Sequence, residues 1–214
     1  MSNENVEFFN LEVVYNNLKS AQHEDEDVKM ELYLLSYEEL NKFFTLIGTI
    51  FGFVSKDLQE KMGILQDFLK NEETSEHFQT VKGMIEYEKN NNLLTKKGYT
   101  SGSRTLLRLH RGLDFILQFL KKLNEIKDDE DTCYVCRDAY NETLAKHHPF
   151  LIRNGAKIAI YTLPKRQELL NRVCGTEEHI KNTLKLFPET LQVINQVFDR
   201  VDKIYTDNDL HSLP

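Results

Sequence analysis

Between residues 104 and 126 the side chains of Leu106, Leu109, Leu113, Ile116, Leu120 and Leu123 recur in steps of three and four. That period gathers them on one stripe of an α-helix, whereas a strand would send neighbours to alternate faces. A stripe of about five turns needs an apolar partner along its whole length, so the chain must build a helical core around it. Prolines stand only at 149, 164, 188 and 214, and there are 9 glycines in 214 residues. Long helices are therefore allowed over most of the chain, and the frequent turns of a β-sandwich are disfavoured.

The same reasoning divides the chain into about eight helices. The first spans about residues 8–20, on Leu11, Val14 and Leu18. Ser36 and Glu39 have the spacing of a capping box, ahead of a very apolar helix that runs to about Val54. Ser55 then opens a helix to about Lys70, with Leu58, Met62, Leu65 and Leu69 on its stripe, and another covers about 75–91. Residues 93–103 read as a loop that ends in an N-cap at Ser103. Beyond the acidic break at 128–131 a helix ends near His147. Pro149, Pro164 and Pro188 each suit the start of a further helix, and Gly175 and Thr176 suit a C-cap and the N-cap of a short one. No strand or sequence repeat stands out, and residues 1–214 are expected to form a single domain.

Composition narrows the function classes. With 27 basic and 34 acidic residues the chain carries a net charge of −7, which argues against nucleic-acid partners, since phosphate backbones select net-positive surfaces. Any anion site must be local. The opening residues lack the basic and apolar regions of a signal peptide, and 3 cysteines fit a reducing compartment. The richest apolar stretch, Phe43 to Val54, is short and is broken by Thr45, Gly48, Thr49 and Gly52, so any membrane contact is peripheral. Cys133 and Cys136 lack the second ligand pair of a zinc site, and no metal or other cofactor is expected. No serine or cysteine is marked as a nucleophile, and the chain does not read as an enzyme.

Three features carry chemistry. Arg104, Arg108 and Arg111 share the side of the 104–126 helix opposite its leucine stripe, and Phe115 and Phe119 continue that side. A helix that is apolar on one side and passes from guanidinium groups into phenylalanine on the other is one wall of a two-sided layer. Paired arginines suit phosphate, because each fork offers two parallel charge-assisted hydrogen bonds. A solvated basic face with carboxylate partners elsewhere fits the same spacing. Asp57 and Lys61, four apart, describe either a polar edge to the apolar stripe of Ile64 and Phe68 or an ordinary exposed ion pair. His148-Pro149-Phe150 holds a histidine in an extended joint before an exposed aromatic, although a capping or core histidine has the same signature.

At these residues the chain resembles the glycolipid transfer protein family. The likeness runs through Phe9-Asn10-Leu11, residues 46–57, Ser101 to Arg111, residues 139–144, His148-Pro149 and the closing Leu-Pro. It implies an all-α, two-layer helical sandwich that encloses an apolar pocket for one sphingolipid. It also implies transfer of that lipid between membranes by a cytosolic monomer that touches the cytosolic faces of Golgi, plasma or other membranes transiently. Asp57 and His148 match the residues that contact the ceramide amide, and Lys61, Arg104 and Arg108 match the cations of the phosphate-selective branch, whose ligand is ceramide-1-phosphate. The sugar-selective branch has asparagine at the position of Lys61 and a tryptophan platform at Arg104, and this chain has no tryptophan. Arg111, and Lys96 or Lys97 in the preceding loop, are further candidates for the phosphate. Phe150 stands where the family usually has tryptophan and is the candidate membrane anchor. Transfer of a glycosphingolipid, or lipid sensing by a helical interaction module, are the alternative functions.

Overall fold

The computed structural model describes residues 7–214, so the reading of the opening residues falls largely outside what it describes. Nine α-helices are present among the described residues, with no strand. They are α1 (Leu11–Ala21), α2 (Met30–Ile47), α3 (Gly52–Lys70), α4 (Val81–Asn90), α5 (Gly102–Glu125), α6 (Thr132–Glu142), α7 (Phe150–Tyr161), α8 (Arg166–Cys174) and α9 (Glu177–Asp207). Three single 3-10 turns link them, two of them flanking what becomes the site: Thr49–Phe51 ahead of α3 and Ala145–His147 ahead of α7.

Helix starts follow local side-chain chemistry. Asn10, Thr80, Ser101 and Thr176 each accept a backbone N–H from the first turn of α1, α4, α5 and α9 respectively. α2 ends at Gly48, whose φ of 153° and ψ of 151° are open only to glycine, and this turn aims the chain into α3.

Five boundaries differ from the sequence reading. Ser36 and Glu39 do not cap a helix, because α2 already begins at Met30; Ser36 returns its hydroxyl to the Leu32 carbonyl and Glu39 accepts the Asn10 N–H at 2.7 Å. Ser55 lies inside α3, and Phe78 precedes α4 in a turn yet is fully buried, stacked on Phe68. The cap of α5 is Ser101, not Ser103, since residues 101–103 are fixed by a carboxylate described below. Pro188 starts nothing: it lies within the 31 residues of α9 on an exposed face, where water can meet the carbonyl that loses its partner.

α2 packs with α1, α3 and α8, and α5 packs with α4, α6 and α9. The two groups meet where α3 lies on α5 and where α1 and α8 lie on α9, giving the two-layer sandwich. α7 finds its main packing against α6. One apolar cluster runs through both layers, with Val14, Tyr33, Leu65, Leu106, Leu113 and Ile194 at its centre. Tyr37 and Tyr205 bind the layers to α5 through hydroxyl donors to the Leu109 and Ser103 carbonyls.

His110, 2% exposed and stacked on Phe198 at 4.3 Å, faces Asp202, Asp114 and His211, and burial outweighs Asp202 in holding its pKa below the ordinary value. The unfolded chain then takes up the proton more readily, so this contribution is present above the unperturbed value of about 6.5 and is lost as pH falls below it. We expect the melting temperature to drop on acidification through that range and His110→Phe to flatten the drop; thermal melts of both proteins across the range check this.

Candidate functional site

The site is set by where α5 begins. Glu88 of α4 has no exposed surface, and its carboxylate accepts the Ser101 and Tyr99 hydroxyls at 2.7 and 2.9 Å and the Gly102 and Ser103 N–H groups at 2.6 and 3.0 Å. A negative charge at a helix N-terminus is stabilised by the unpaired amides and the macrodipole there. It fixes the turn from which Arg104 and, one turn on, Arg108 project.

A cavity of about 600 Å³ opens beside these turns. Its apolar wall is drawn from α3, α5, α6 and α7, including Leu58, Phe115, Ile116, Cys136, Ala156 and Ile160, while α2 adds Phe44 and the joint after α6 adds Leu144. Its polar lining is Asp57 and Lys61 of α3, Arg108 and Arg111 of α5, Tyr140 of α6, and His147 and His148 of the joint before α7. Asp57 and Lys61 are hydrogen-bonded to each other, with the lysine side chain only 14% exposed against 61% for the aspartate. An i to i+4 pair that borders a cavity is not the freely solvated pair that spacing alone allows.

Of the sequence-predicted residues, Asp57, Lys61, Arg108 and His148 therefore line one cavity. Arg104 stands beside it: Arg104 Nε and Arg108 Nη2 both donate to the Pro214 main-chain oxygen at 3.4 Å, so the two guanidinium groups converge on one oxygen atom. Arg111 lines the cavity and donates to the His211 carbonyl at 2.8 Å; its burial and the charge of Arg108 lower its pKa. Lys96 and Lys97 are exposed in the loop before α5 and do not border the cavity. Phe150, 65% exposed, is the first residue of α7.

His148 is half-buried with φ and ψ of −101° and 136°, the extended joint expected ahead of proline. Burial lowers its pKa, Asp57 opposes that, and Lys61 adds to it. Tyr140 Oη lies 2.9 Å from His148 Nδ1. Burial raises the tyrosine pKa, and the hydroxyl can donate to Nδ1 when the ring proton is on Nε2. Sequence reasoning gave Tyr140 no role; its place one turn past Cys136 on the inner side of α6 was the available signal. Partial burial, Arg111, Lys146 and His148 lower the pKa of His147.

Cys136 is buried in the cavity wall, and burial pushes its thiol well above the ordinary range, so it acts as an apolar group. Among the described residues no group of three or more histidine, cysteine or acidic side chains is placed to hold a metal ion. No helix among them is long and apolar enough to cross a membrane.

A helical sandwich with an apolar cavity and arginine and lysine side chains in its lining defines a class of protein. The family model described as glycolipid transfer protein matches residues 28–175, and the chain belongs to the glycolipid transfer protein family. It is 38% identical over 210 residues to the ceramide-1-phosphate transfer protein of Danio rerio, covering 96% of this chain and 98% of that one. The crystal structure of the mouse ceramide-1-phosphate transfer protein in its apo form superposes with a TM-score of 0.89 at 32% identity, covering 96% of this chain and 100% of that one. The human protein in complex with 12:0 ceramide-1-phosphate gives a TM-score of 0.85 at 33% identity over the same shares.

The Glu88 geometry has a measurable consequence. Glu88→Ala leaves two backbone amides and two hydroxyls without their acceptor, each costing about 1–3 kcal/mol if it stays buried. Urea denaturation should show a loss of about 3 kcal/mol or more; a loss below about 1 kcal/mol means that other groups satisfy the start of α5.

Proposed function

We propose that the chain is a carrier of ceramide-1-phosphate between membranes, working in the cytosol as a single-domain monomer without a covalent step. The observation that carries this is that Lys61, Arg108 and Arg111 line a cavity that is otherwise largely apolar, with Arg104 and Arg108 meeting on one oxygen atom beside it. Each methylene kept from water is worth about 0.8 kcal/mol, so a two-chain lipid leaves a bilayer at a useful rate only into an apolar sleeve. At a partly desolvated lip its phosphate needs fixed cations, and an oxygen atom between Arg104 and Arg108 is already the geometry such a group would take.

Asp57 would accept the ceramide amide N–H and the nearby hydroxyl, and His148 Nε2–H would donate to the amide carbonyl. These two groups read the ceramide, while the lysine and arginines read the phosphate. Ceramide-1-phosphate is named for the Danio rerio, mouse and human relatives, which supports the same ligand here. The lack of any tryptophan removes the stacking platform a sugar would need.

In a vesicle transfer assay with ceramide-1-phosphate and glucosylceramide in competition, the phosphorylated lipid should move preferentially. Arg108→Leu and Lys61→Ala should each lower its transfer about tenfold or more while melting temperature stays within a few degrees, since loss of one charge-assisted contact is worth about 1.5–3 kcal/mol. Preferential movement of glucosylceramide would assign the sugar branch instead. A protein that binds neither lipid would leave a helical interaction module.

α7 supports a docking role at the mouth. Phe150, Leu151, Ile158 and Tyr161 are 65%, 80%, 64% and 63% exposed, Phe53 at the start of α3 is 46% exposed, and Arg153 and Lys157 are exposed among them on α7. Such a face suits the membrane interface, with basic groups for anionic headgroups. Leu151→Asp should reduce vesicle binding several-fold, read by sedimentation, with no loss of thermal stability; unchanged binding would remove α7 from the docking surface.

A further inference from the structure

Arg104 shares a side of α5 with Arg108, yet Arg108 lines the cavity and Arg104 does not. Pro214 does line it, and its main-chain oxygen is the atom on which the two guanidinium groups converge. Pro214 belongs to a strap that leaves α9 at Asp207 and runs back along α5 from Arg111 toward Arg104. The chain reverses at Asp209, a non-glycine residue in the left-handed region with a φ of 55°. The Asp209 and Leu210 N–H groups close that turn on the Thr206 and Tyr205 carbonyls at 3.1 and 3.0 Å. The root of the strap is well held: Leu210 is buried, His211 Nε2 lies 2.9 Å from Thr206 Oγ1, and Arg111 donates to the His211 carbonyl at 2.8 Å. The tip is held less firmly. Leu213 is buried and its N–H reaches the Leu210 carbonyl at 3.1 Å, but Pro214 is exposed and has no N–H, so its polar hold on α5 is the pair of 3.4 Å bonds.

We propose that residues 212–214 are a latch: the Pro214 oxygen sits in the seat of the lipid phosphate, screens Arg104 from the cavity, and swings away from the root at His211 when a phosphate enters. This rests on the reading of the chain as a ceramide-1-phosphate carrier. While the tip is seated, Arg104 and Arg108 keep an acceptor between them. A phosphate offers several charged oxygens to the same two forks, and charge-assisted bonds at about 2.8 Å are about twice as strong as neutral ones, so it wins the exchange against a single oxygen at 3.4 Å. A ceramide without phosphate brings no such groups and leaves the tip where it is. The latch also weakens the hold on the lipid, since apparent affinity falls with the fraction of molecules in which the seat is open. A carrier that must let go of its cargo at the second membrane gains from such a competitor.

The test is calorimetric titration with 2:0 ceramide-1-phosphate, the lipid of a human complex, and with 2:0 ceramide. The proteins are wild type, a chain lacking Leu213 and Pro214, and Leu213→Ser, which loosens the tip at unchanged length, with circular dichroism to confirm folding. The shortened chain should bind the phosphorylated lipid about three- to tenfold more tightly than wild type, as two modest hydrogen bonds no longer compete. Leu213→Ser should shift the same way by a smaller factor, and affinity for 2:0 ceramide should stay unchanged. In wild type, exchange of the Leu213 amide with solvent should speed up on addition of 2:0 ceramide-1-phosphate, although ligands ordinarily slow exchange near their sites. Equal or weaker binding by the folded variants, an equal gain for ceramide, or a Leu213 amide that the phosphorylated lipid does not accelerate overturns the latch while leaving the carrier intact. If the shortened chain does not fold, Leu213→Ser and the amide exchange decide. Failure of every folded protein to bind the phosphorylated lipid would instead overturn the carrier, and the latch with it.

Discussion

A carboxylate without exposed surface organises the functional end of this protein. Glu88 gathers two amides and two hydroxyls at the head of α5 and so occupies the site where a helix N-terminus would otherwise attract an anion. The charge available to a ligand is thereby shifted from the backbone to the side chains of Arg104, Arg108 and Arg111. Guanidinium forks are more selective than amides at a helix end, because they fix the plane as well as the sign of what they bind.

The long helices were legible because their apolar periods are regular and little interrupts them. The leucine stripe of α5 is buried as its spacing requires, and the opposite side does carry guanidinium groups followed by buried Phe115 and Phe119. Boundaries were less legible where tertiary contacts override local signals. Glu39 looked like half of a capping box but serves the Asn10 amide from inside α2, and Pro188 looked like a helix start but sits where solvent removes much of its cost. Both residues are ambiguous in one dimension, since their partners lie elsewhere in the chain or in water.

The candidate site divides in the same way. Asp57, Lys61, Arg108 and His148 come to one cavity, although spacing alone left each of the three features open to a bland reading. It was their combination that resembled a family. Tyr140, His147 and the main-chain oxygens of His211 and Pro214 were not legible, because nothing in their local sequence says which side chains they will face. The lowered pKa of His148 likewise follows from its depth, which no motif encodes.

The unequal packing of α7 bears on how the two layers breathe. α5 is held on several sides, whereas α7 leans chiefly on α6 and turns its large apolar residues outward. Local opening draws on the elements with the fewest buried contacts, so amide protons of α7 should exchange with solvent well before those of α5. One wall of the chamber is thus the helix with the least packing behind it. Its outward apolar face is the one proposed above to meet a membrane, where it would find the apolar surroundings that it lacks in water.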